Sequence, residues 1–126
     1  MADADSAAPW PSEIRLSPDR RSLTVAFEGG ERHVLAAEYL RVMSPSAEVQ
    51  GHAPDERQVV GGKREVAIRA VEPVGRYAVR LVFDDGHDTG LYGWAYLAEL
   101  GRQAEPRFAR YLAELAERSL SRDVRR

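Results

Sequence analysis

The first third of the chain alternates large apolar residues with smaller or polar ones, at the two-residue period of a β-strand. Leu23, Val25 and Phe27 form the clearest run, which places three large apolar side chains on one face. Two weaker runs flank it and predict strands at 13–16 and 32–35. Turn-forming residues lie between the strands, at 17–20 and 28–30. The pattern predicts a meander of three strands.

A second set of alternating residues occupies the middle of the chain. A strand is predicted over 66–70 and another over 77–83, with a turn between them at 72–75. A return strand is predicted over 87–92. Because the strand over 77–83 is apolar on both faces, we expect it to be central and covered on both sides. The Asp85-Gly86 pair that follows it is a strong hairpin signal.

Helix-forming residues take over in three places. Residues 36–43 predict a short helix, and a second helix begins near Gly93. A third helix starts at Glu105-Pro106 and carries a clear amphipathic stripe, which consists of Phe108, Tyr111, Leu112, Leu115 and Ala116. Residues 47–63 show little periodicity and predict a long loop, a feature that is often functional or mobile in a small domain.

Strands precede helices along the chain, which is typical of a segregated α+β domain. We predict a mostly antiparallel sheet of about five or six strands, with a short helix after the first meander and two C-terminal helices packed on one face. The domain is expected to span 13–118. A flexible leader over 1–12 precedes it, and a basic tail over 119–126 follows it.

The composition fits one folded domain and excludes several classes of protein. The chain has 126 residues, of which 44% are hydrophobic and 30% are charged. Its 18 lysine and arginine residues face 20 aspartate and glutamate residues, so the net charge is −2. Nucleic acids bind clustered basic surfaces, and this balance argues against such a partner. Neither a membrane-spanning run nor a signal peptide is recognisable, so we expect a cytoplasmic protein that does not bind membranes.

The chain contains no cysteine. It therefore forms no disulfide, supplies no thiolate to zinc or to an iron–sulfur cluster, and has no cysteine nucleophile. Any site chemistry has to come from histidine, carboxylates and hydroxyls.

The densest polar cluster is the segment 84–90, which holds three aspartates and a histidine. His87 with Asp84 or Asp88 could bind a divalent metal, or could act as an acid–base pair in a small enzyme. The alternative is structural, since Asp85-Gly86 suits a hairpin turn and the flanking carboxylates would solvate it.

Other candidate residues lie in and before the long loop. His52 could converge on His87 at a shared metal site, or it could be an exposed loop histidine. Ser44 and Ser46 could be nucleophiles, but no neighbouring residue marks an activating base, and they also suit the end of the short helix.

Three segments of the chain carry a family resemblance. They are 40–52, 74–79 and 83–97, and the most specific part is Gly86-His87-Asp88-Thr89-Gly90 with the Trp and Leu that follow it. Together they resemble the small bacterial proteins of domain-of-unknown-function family 971, which are similar to the N-terminal domain of gamma-butyrobetaine hydroxylase. The resemblance covers most of the chain, roughly from Pro11 to Gln103.

The resemblance implies a mostly β module with a zinc site made of three cysteines and a histidine. The cysteine positions correspond to Ser44, Ser46 and a residue near Val49, and the histidine corresponds to His87. Hydroxyls are poorer zinc ligands than thiolates, so a zinc or iron site here would include His87 with other ligands. The oxygenase activity of the hydroxylases belongs to a separate, larger domain, so we expect no such activity in this chain.

The resemblance also bears on partners, because the same module is appended to P-loop ATPases of iron–sulfur cluster assembly. We therefore expect a non-catalytic binding or accessory module with a protein partner, which could belong to the iron–sulfur assembly machinery. Two alternatives stay open at this point. One is a protein-interaction domain without a metal, and the other is the small enzyme based on His87.

Overall fold

The computed structural model describes residues 9–51 and 57–124. Within these residues it has six strands and four helices. In chain order they are β1 (Pro11–Leu16), β2 (Ser22–Phe27), β3 (Arg32–Ala36), α1 (Ala37–Val42), α2 (Ala47–Gln50), β4 (Ile68–Val74), β5 (Ala78–Phe83), β6 (Leu91–Gly93), α3 (Trp94–Arg102) and α4 (Ala104–Glu117).

The predicted N-terminal meander is present as an antiparallel sheet in the order β1-β2-β3. In the central strand, Leu23, Val25 and Phe27 are buried and their neighbours are only half-buried, as the alternation predicted. The first strand begins at Pro11, so residues 11 and 12 belong to the folded domain instead of the predicted leader.

The second sheet has the order β4-β5-β6 and is also antiparallel. The prediction ended β4 before a turn over 72–75, whereas the strand continues through Pro73 to Val74. Proline is tolerated there because β4 lies at the edge of its sheet and needs no outward N–H. The return strand is shorter than predicted and covers only Leu91–Gly93.

The prediction of one sheet of five or six strands is therefore corrected to two sheets of three strands each. The turn between β1 and β2 contacts the second sheet, where the N–H of Ile68 donates to the carbonyl of Arg20 at 2.8 Å. Both sheets share one apolar core with α1, α3 and α4. A common core stabilises the pair of sheets because a three-stranded sheet alone buries only one face.

The two predicted C-terminal helices are confirmed, and the first of them packs against strands of both sheets. A side chain at Gly101 of α3 would collide with the ring of His33 on β3, so glycine permits this close approach. The helix therefore bridges the two sheets, a position that a single-sheet arrangement does not offer.

The predicted loop over 47–63 and the predicted basic tail both contain ordered structure. The loop begins with the short helix α2, whose first turn is capped by the Ser46 hydroxyl at 3.1 Å from the Glu48 N–H. At the other end of the chain, residues 119–124 return to the domain. Their carbonyls at Ser121 and Arg122 accept hydrogen bonds from residues 62 and 64.

None of the helices in the described part of the chain combines the length and the apolar character that crossing a bilayer requires.

Candidate functional site

Three polar side chains from distant parts of the sequence form a hydrogen-bonded row. Ser44 follows α1, Glu48 lies in the first turn of α2, and His87 follows the turn after β5. In His87, Nε2 lies 2.9 Å from Oγ of Ser44 and Nδ1 lies 3.0 Å from Oε1 of Glu48. The row joins the segment 44–48 to the hairpin of the second sheet.

The imidazole of His87 is the neutral centre of this row. Burial, together with the positive charge of Arg41, lowers the pKa of His87 below its usual 6.5. Because Nδ1 faces a carboxylate, which can only accept, the proton is assigned to Nδ1 and Nε2 accepts from the Ser44 hydroxyl. The Ser44 oxygen accepts in turn from the N–H of Ser46 at 3.2 Å.

A second pair of hydroxyls extends the network. The Thr89 hydroxyl donates to Oε1 of Glu48 at 3.1 Å, and its oxygen lies 2.7 Å from the Ser46 hydroxyl. The Glu48 carboxylate therefore receives hydrogen bonds from both Thr89 and His87. Since Ser46 also caps α2, the network holds the start of that helix against the hairpin.

Asp85 connects the row to two cations. Its Oδ2 accepts from Nε of Arg41 at 2.8 Å and from Nζ of Lys63 at 2.6 Å, while its Oδ1 accepts from the N–H of His87 at 3.0 Å. Burial works to raise the pKa of Asp85, but the hydrogen bonds from Lys63, the His87 N–H and Arg41 outweigh it and lower the pKa to about 2. This carboxylate fixes the turn that presents the imidazole.

The structure separates two of the predicted site residues, Asp84 and Asp88, from the imidazole of His87. Asp84 accepts from the N–H of Ala67 at 3.1 Å, and the Asp88 carboxylate lies 3.6 Å from Arg80, so both carboxylates are engaged away from the imidazole. His52 lies outside the described residues, and its predicted convergence on His87 stays a prediction. Of the three predicted site residues that the structure describes, His87 alone is observed in the row.

Sequence reasoning missed Glu48 as the carboxylate partner of the imidazole. Ser44 lies 43 positions before His87 in the sequence, and no local pattern predicts the hydrogen bond between their side chains. The available signal was weak: a serine N-cap such as Ser46, followed by an acidic residue in the first turn such as Glu48, is typical of a helix start.

The donors in this network do not fit a structural zinc ion. Zinc in structural sites takes about four nitrogen or sulfur ligands, and here one imidazole is surrounded by hydroxyls and one carboxylate. Both ring nitrogens of His87 are already hydrogen-bonded, and the position near the third family cysteine is filled by the buried, apolar Val49. Among the described residues, no three His, Cys, Asp or Glu side chains are grouped so that they could hold a metal ion.

The order hydroxyl–imidazole–carboxylate also resembles the connectivity of a serine hydrolase. A nucleophile has to reach its substrate, however, and Ser44 is 0% exposed. A Cβ placed on Gly90 would lie only 2.6 Å from the Ser44 oxygen, so even a methyl group has no room beside it. The row therefore has the connectivity of a catalytic triad without the access that catalysis needs.

Comparison with solved structures identifies close relatives of the whole fold. Two structures determined in solution by NMR share 45% and 43% identity, with TM-scores of 0.81 and 0.80. The first covers 95% of this chain and 94% of its own, and the second covers 97% and 90%.

A crystal structure from Acidithiobacillus ferrooxidans extends the comparison. It shows a protein of unknown function of the DUF971 family, with 41% identity and a TM-score of 0.60, over 72% of this chain and 91% of the other. No curated protein matches the chain. The sequence model described as gamma-butyrobetaine hydroxylase-like, N-terminal, matches residues 14–98. The chain belongs to this gamma-butyrobetaine hydroxylase-like N-terminal family.

Proposed function

We propose that this chain is a non-catalytic binding module that docks onto a partner protein as an accessory domain. The observation that carries this proposal is the burial of the hydroxyl and the imidazole of its polar row. Ser44 is fully buried beneath Gly90, and both nitrogens of His87 are used within the fold. A group that cannot be reached cannot act on a substrate, so the row serves as a structural joint.

The joint has a definite mechanical role. It links the segment between α1 and α2 to the hairpin between β5 and β6. These two regions are far apart along the chain. The buried members Ser44 and His87 hold one arrangement because breaking their hydrogen bond leaves buried polar atoms unsatisfied. The joint thereby holds these two regions of the fold in one arrangement.

An aromatic patch at the end of the second sheet is the proposed docking surface. The patch consists of Trp10, Tyr77 and Trp94. The rings of Trp10 and Trp94 pack edge to face at 6.5 Å, and Nε1 of Trp94 donates to the carbonyl of Arg76 beside Tyr77. Tyr77 is 62% exposed and Trp10 is 48% exposed. Aromatic side chains that stay in solvent on a rigid surface are enriched in protein interfaces.

The partner class that we propose is the iron–sulfur cluster assembly machinery. Its support is the family resemblance, in which the same module is appended to P-loop ATPases of that process. The chain has no cysteine, so its own part would be docking and not cluster binding. A zinc or iron site that includes His87 would need ligands from His52 or from the partner, together with release of the imidazole from its present hydrogen bonds.

Binding to a P-loop ATPase of iron–sulfur cluster assembly from the same organism tests the partner class by isothermal titration calorimetry. Tyr77→Ala is expected to weaken the complex about fivefold or more, because buried interface tyrosines often contribute over 1 kcal/mol. Val34→Ala, a similarly exposed apolar residue on β3, is the matched control and should bind like the unmodified chain. Absence of a complex would reject the iron–sulfur link, and equal weakening by both variants would reject the aromatic patch.

Two measurements test the non-catalytic role separately. A fluorophosphonate probe for activated serines should leave Ser44 unlabelled, as judged by intact mass, because the hydroxyl is enclosed. Elemental analysis of protein from zinc- and iron-supplemented medium should find less than one metal per chain. Labelling at Ser44, or stoichiometric metal that disappears in His87→Ala, would overturn the proposal.

A further inference from the structure

A cavity of about 700 Å³ lies between the segment that carries α2 and the two C-terminal helices, and its described lining includes none of Ser44, Glu48 and His87. Its volume falls in the range of small-molecule sites, which extends from about 300 to 1,000 Å³. One wall comes from the α1–α2 segment and includes Met43, Pro45 and Gln50. The opposite wall comes from α3 and α4.

The cavity is rich in guanidinium groups. Arg57, Arg107 and Arg110 all line it, whereas Glu99 is the one carboxylate among the described lining residues. Arg107 pairs with Glu99 within the cavity. The carboxylate that serves the other two arginines, Glu114, is not part of the lining. The described lining therefore carries an excess of positive charge, although the chain as a whole has a net charge of −2.

The arginines differ in how strongly the protein holds them. Arg57 pairs with Glu114 at a largely buried position. Arg110 reaches the same carboxylate only at 3.5 Å, and its side chain is 76% exposed. Because Glu114 is shared, the Arg110 guanidinium keeps most of its donors for another anion. Arginine is the side chain best suited to bind carboxylates and phosphates through two parallel hydrogen bonds.

The remainder of the lining suits the organic part of a ligand. Tyr96 donates its hydroxyl to the carbonyl of Met43 at 2.6 Å, so its ring and not its hydroxyl is offered to the cavity. Met43 and Pro45 add apolar surface beside it. Gln103, whose Oε1 accepts from Nε of Arg107, holds that guanidinium in place at the rim.

From this arrangement we propose that the cavity binds a small organic anion, a carboxylate or a phosphate ester with an apolar part. The acidic group lies against Arg107 and Arg110, and the apolar part lies against Tyr96 and Met43. The proposal is independent of the docking role, since it concerns a different surface and a ligand of different chemistry. The module would then bind a small-molecule ligand in addition to its proposed protein partner.

Titration of the isolated chain with benzoate and with phenyl phosphate, at constant ionic strength with chloride, tests this site and distinguishes the two kinds of acidic group. Saturable amide shifts in NMR spectra are expected at residues around 43–51 and 96–110 for at least one probe. Arg107→Gln and Arg110→Gln should each weaken binding about tenfold, because each removes charge-assisted hydrogen bonds to the acidic group. Arg69→Gln, an exposed arginine on β4 outside the cavity, is the matched control and should change the affinity less than twofold.

The outcomes decide the proposal without reference to the protein partner. If neither probe gives saturable shifts at millimolar concentration, the cavity does not bind organic anions. If Arg69→Gln weakens binding as much as Arg110→Gln does, the interaction is a general effect of charge and the cavity assignment is wrong. Unchanged thermal unfolding of Arg110→Gln would show that a lost affinity is not a lost fold.

Discussion

The Ser44 hydroxyl lies 2.9 Å from Nε2 of His87, and both side chains are buried. In the related hydroxylase domain the resemblance places two zinc ligands at these positions. In this chain a direct hydrogen bond joins them, and the serine oxygen is satisfied by the N–H of Ser46. A direct contact therefore joins the two secondary-structure segments without the thiolate donors that suit zinc.

Removal of this hydroxyl should destabilise the fold. Ser44→Ala leaves Nε2 of His87 and the N–H of Ser46 without their partner, and an unsatisfied buried polar atom costs about 1–3 kcal/mol. Urea unfolding followed by circular dichroism measures the change in the free energy of unfolding. Ser12→Ala, at an exposed position of β1, is the control and should stay within about 0.5 kcal/mol of the unmodified chain. A loss of stability no larger than that of the control would contradict the structural role of Ser44.

The stability of the protein should decrease as the pH falls below the usual histidine pKa. His87 has a folded pKa below its usual 6.5, so between these two values the unfolded chain binds more protons than the folded chain. The free energy of unfolding therefore falls as the pH is lowered from about 6.5, and the loss ends at the folded pKa. Urea unfolding at several pH values measures this slope, and His87→Gln should flatten it.

The carboxylates act in a separate pH range. Asp85, with its pKa lowered to about 2 from 3.8, contributes stability above 3.8 that is lost as the pH falls toward 2. A slope between pH 6.5 and 5 that is the same in His87→Gln and the unmodified chain would contradict the assignment to His87.

Substitution of Asp85 should lower the free energy of unfolding more than substitution of Asp88, which lies in the same sequence cluster. Asp85→Asn removes the charge that faces Arg41 and Lys63, and leaves a nine-tenths buried guanidinium without its counter-ion. Within the described residues, Nη1 of Arg41 already lacks a hydrogen-bond partner. The expected cost is about 2–4 kcal/mol by thermal or urea unfolding.

Asp88→Asn is the matched control for Asp85→Asn. Its carboxylate is half-exposed and lies 3.6 Å from Arg80, so its loss should cost less than about 1 kcal/mol. Equal effects of the two substitutions would show that the Asp85 contacts do not hold the turn. An effect at Asp88 alone would return it to the candidate site.

The C-terminal segment should contribute to stability through Arg122. Its guanidinium forms two hydrogen bonds, of 2.8 and 2.7 Å, with the buried carboxylate of Glu38 and lies 5.3 Å from the centre of the Phe108 ring. Arg122→Ala leaves that carboxylate buried and unpaired, for an expected loss of about 2–3 kcal/mol in urea unfolding. Arg122→Lys should recover only part of it, because an ammonium group cannot pair with both oxygens in the same way.

The control for the C-terminal segment is Arg118→Ala, which removes an exposed arginine one helical turn earlier and should cost less than about 0.5 kcal/mol. Full recovery by Arg122→Lys would indicate that charge alone matters. No loss in Arg122→Ala would show that the pair of Arg122 and Glu38 does not stabilise the segment after α4.

Local patterns were enough to predict most of the secondary structure. Leu23, Val25 and Phe27 alternate because a strand turns every second side chain toward the core, and the stripe on α4 repeats at helical spacing for the same kind of reason. The Asp85-Gly86 turn, the short helix after the meander and the family were also readable from the sequence. These features depend on residues that are close along the chain, or on a run of residues shared with relatives.

Contacts between distant residues were decided only by the tertiary structure. The division into two sheets depends on which strands pair, and alternation does not specify the partner of a strand. The same limit hid Glu48 as the partner of His87 and Arg122 as the partner of Glu38. A side chain of a given type can serve many roles, and burial beneath Gly90 is what separates a structural hydroxyl at Ser44 from a reactive one.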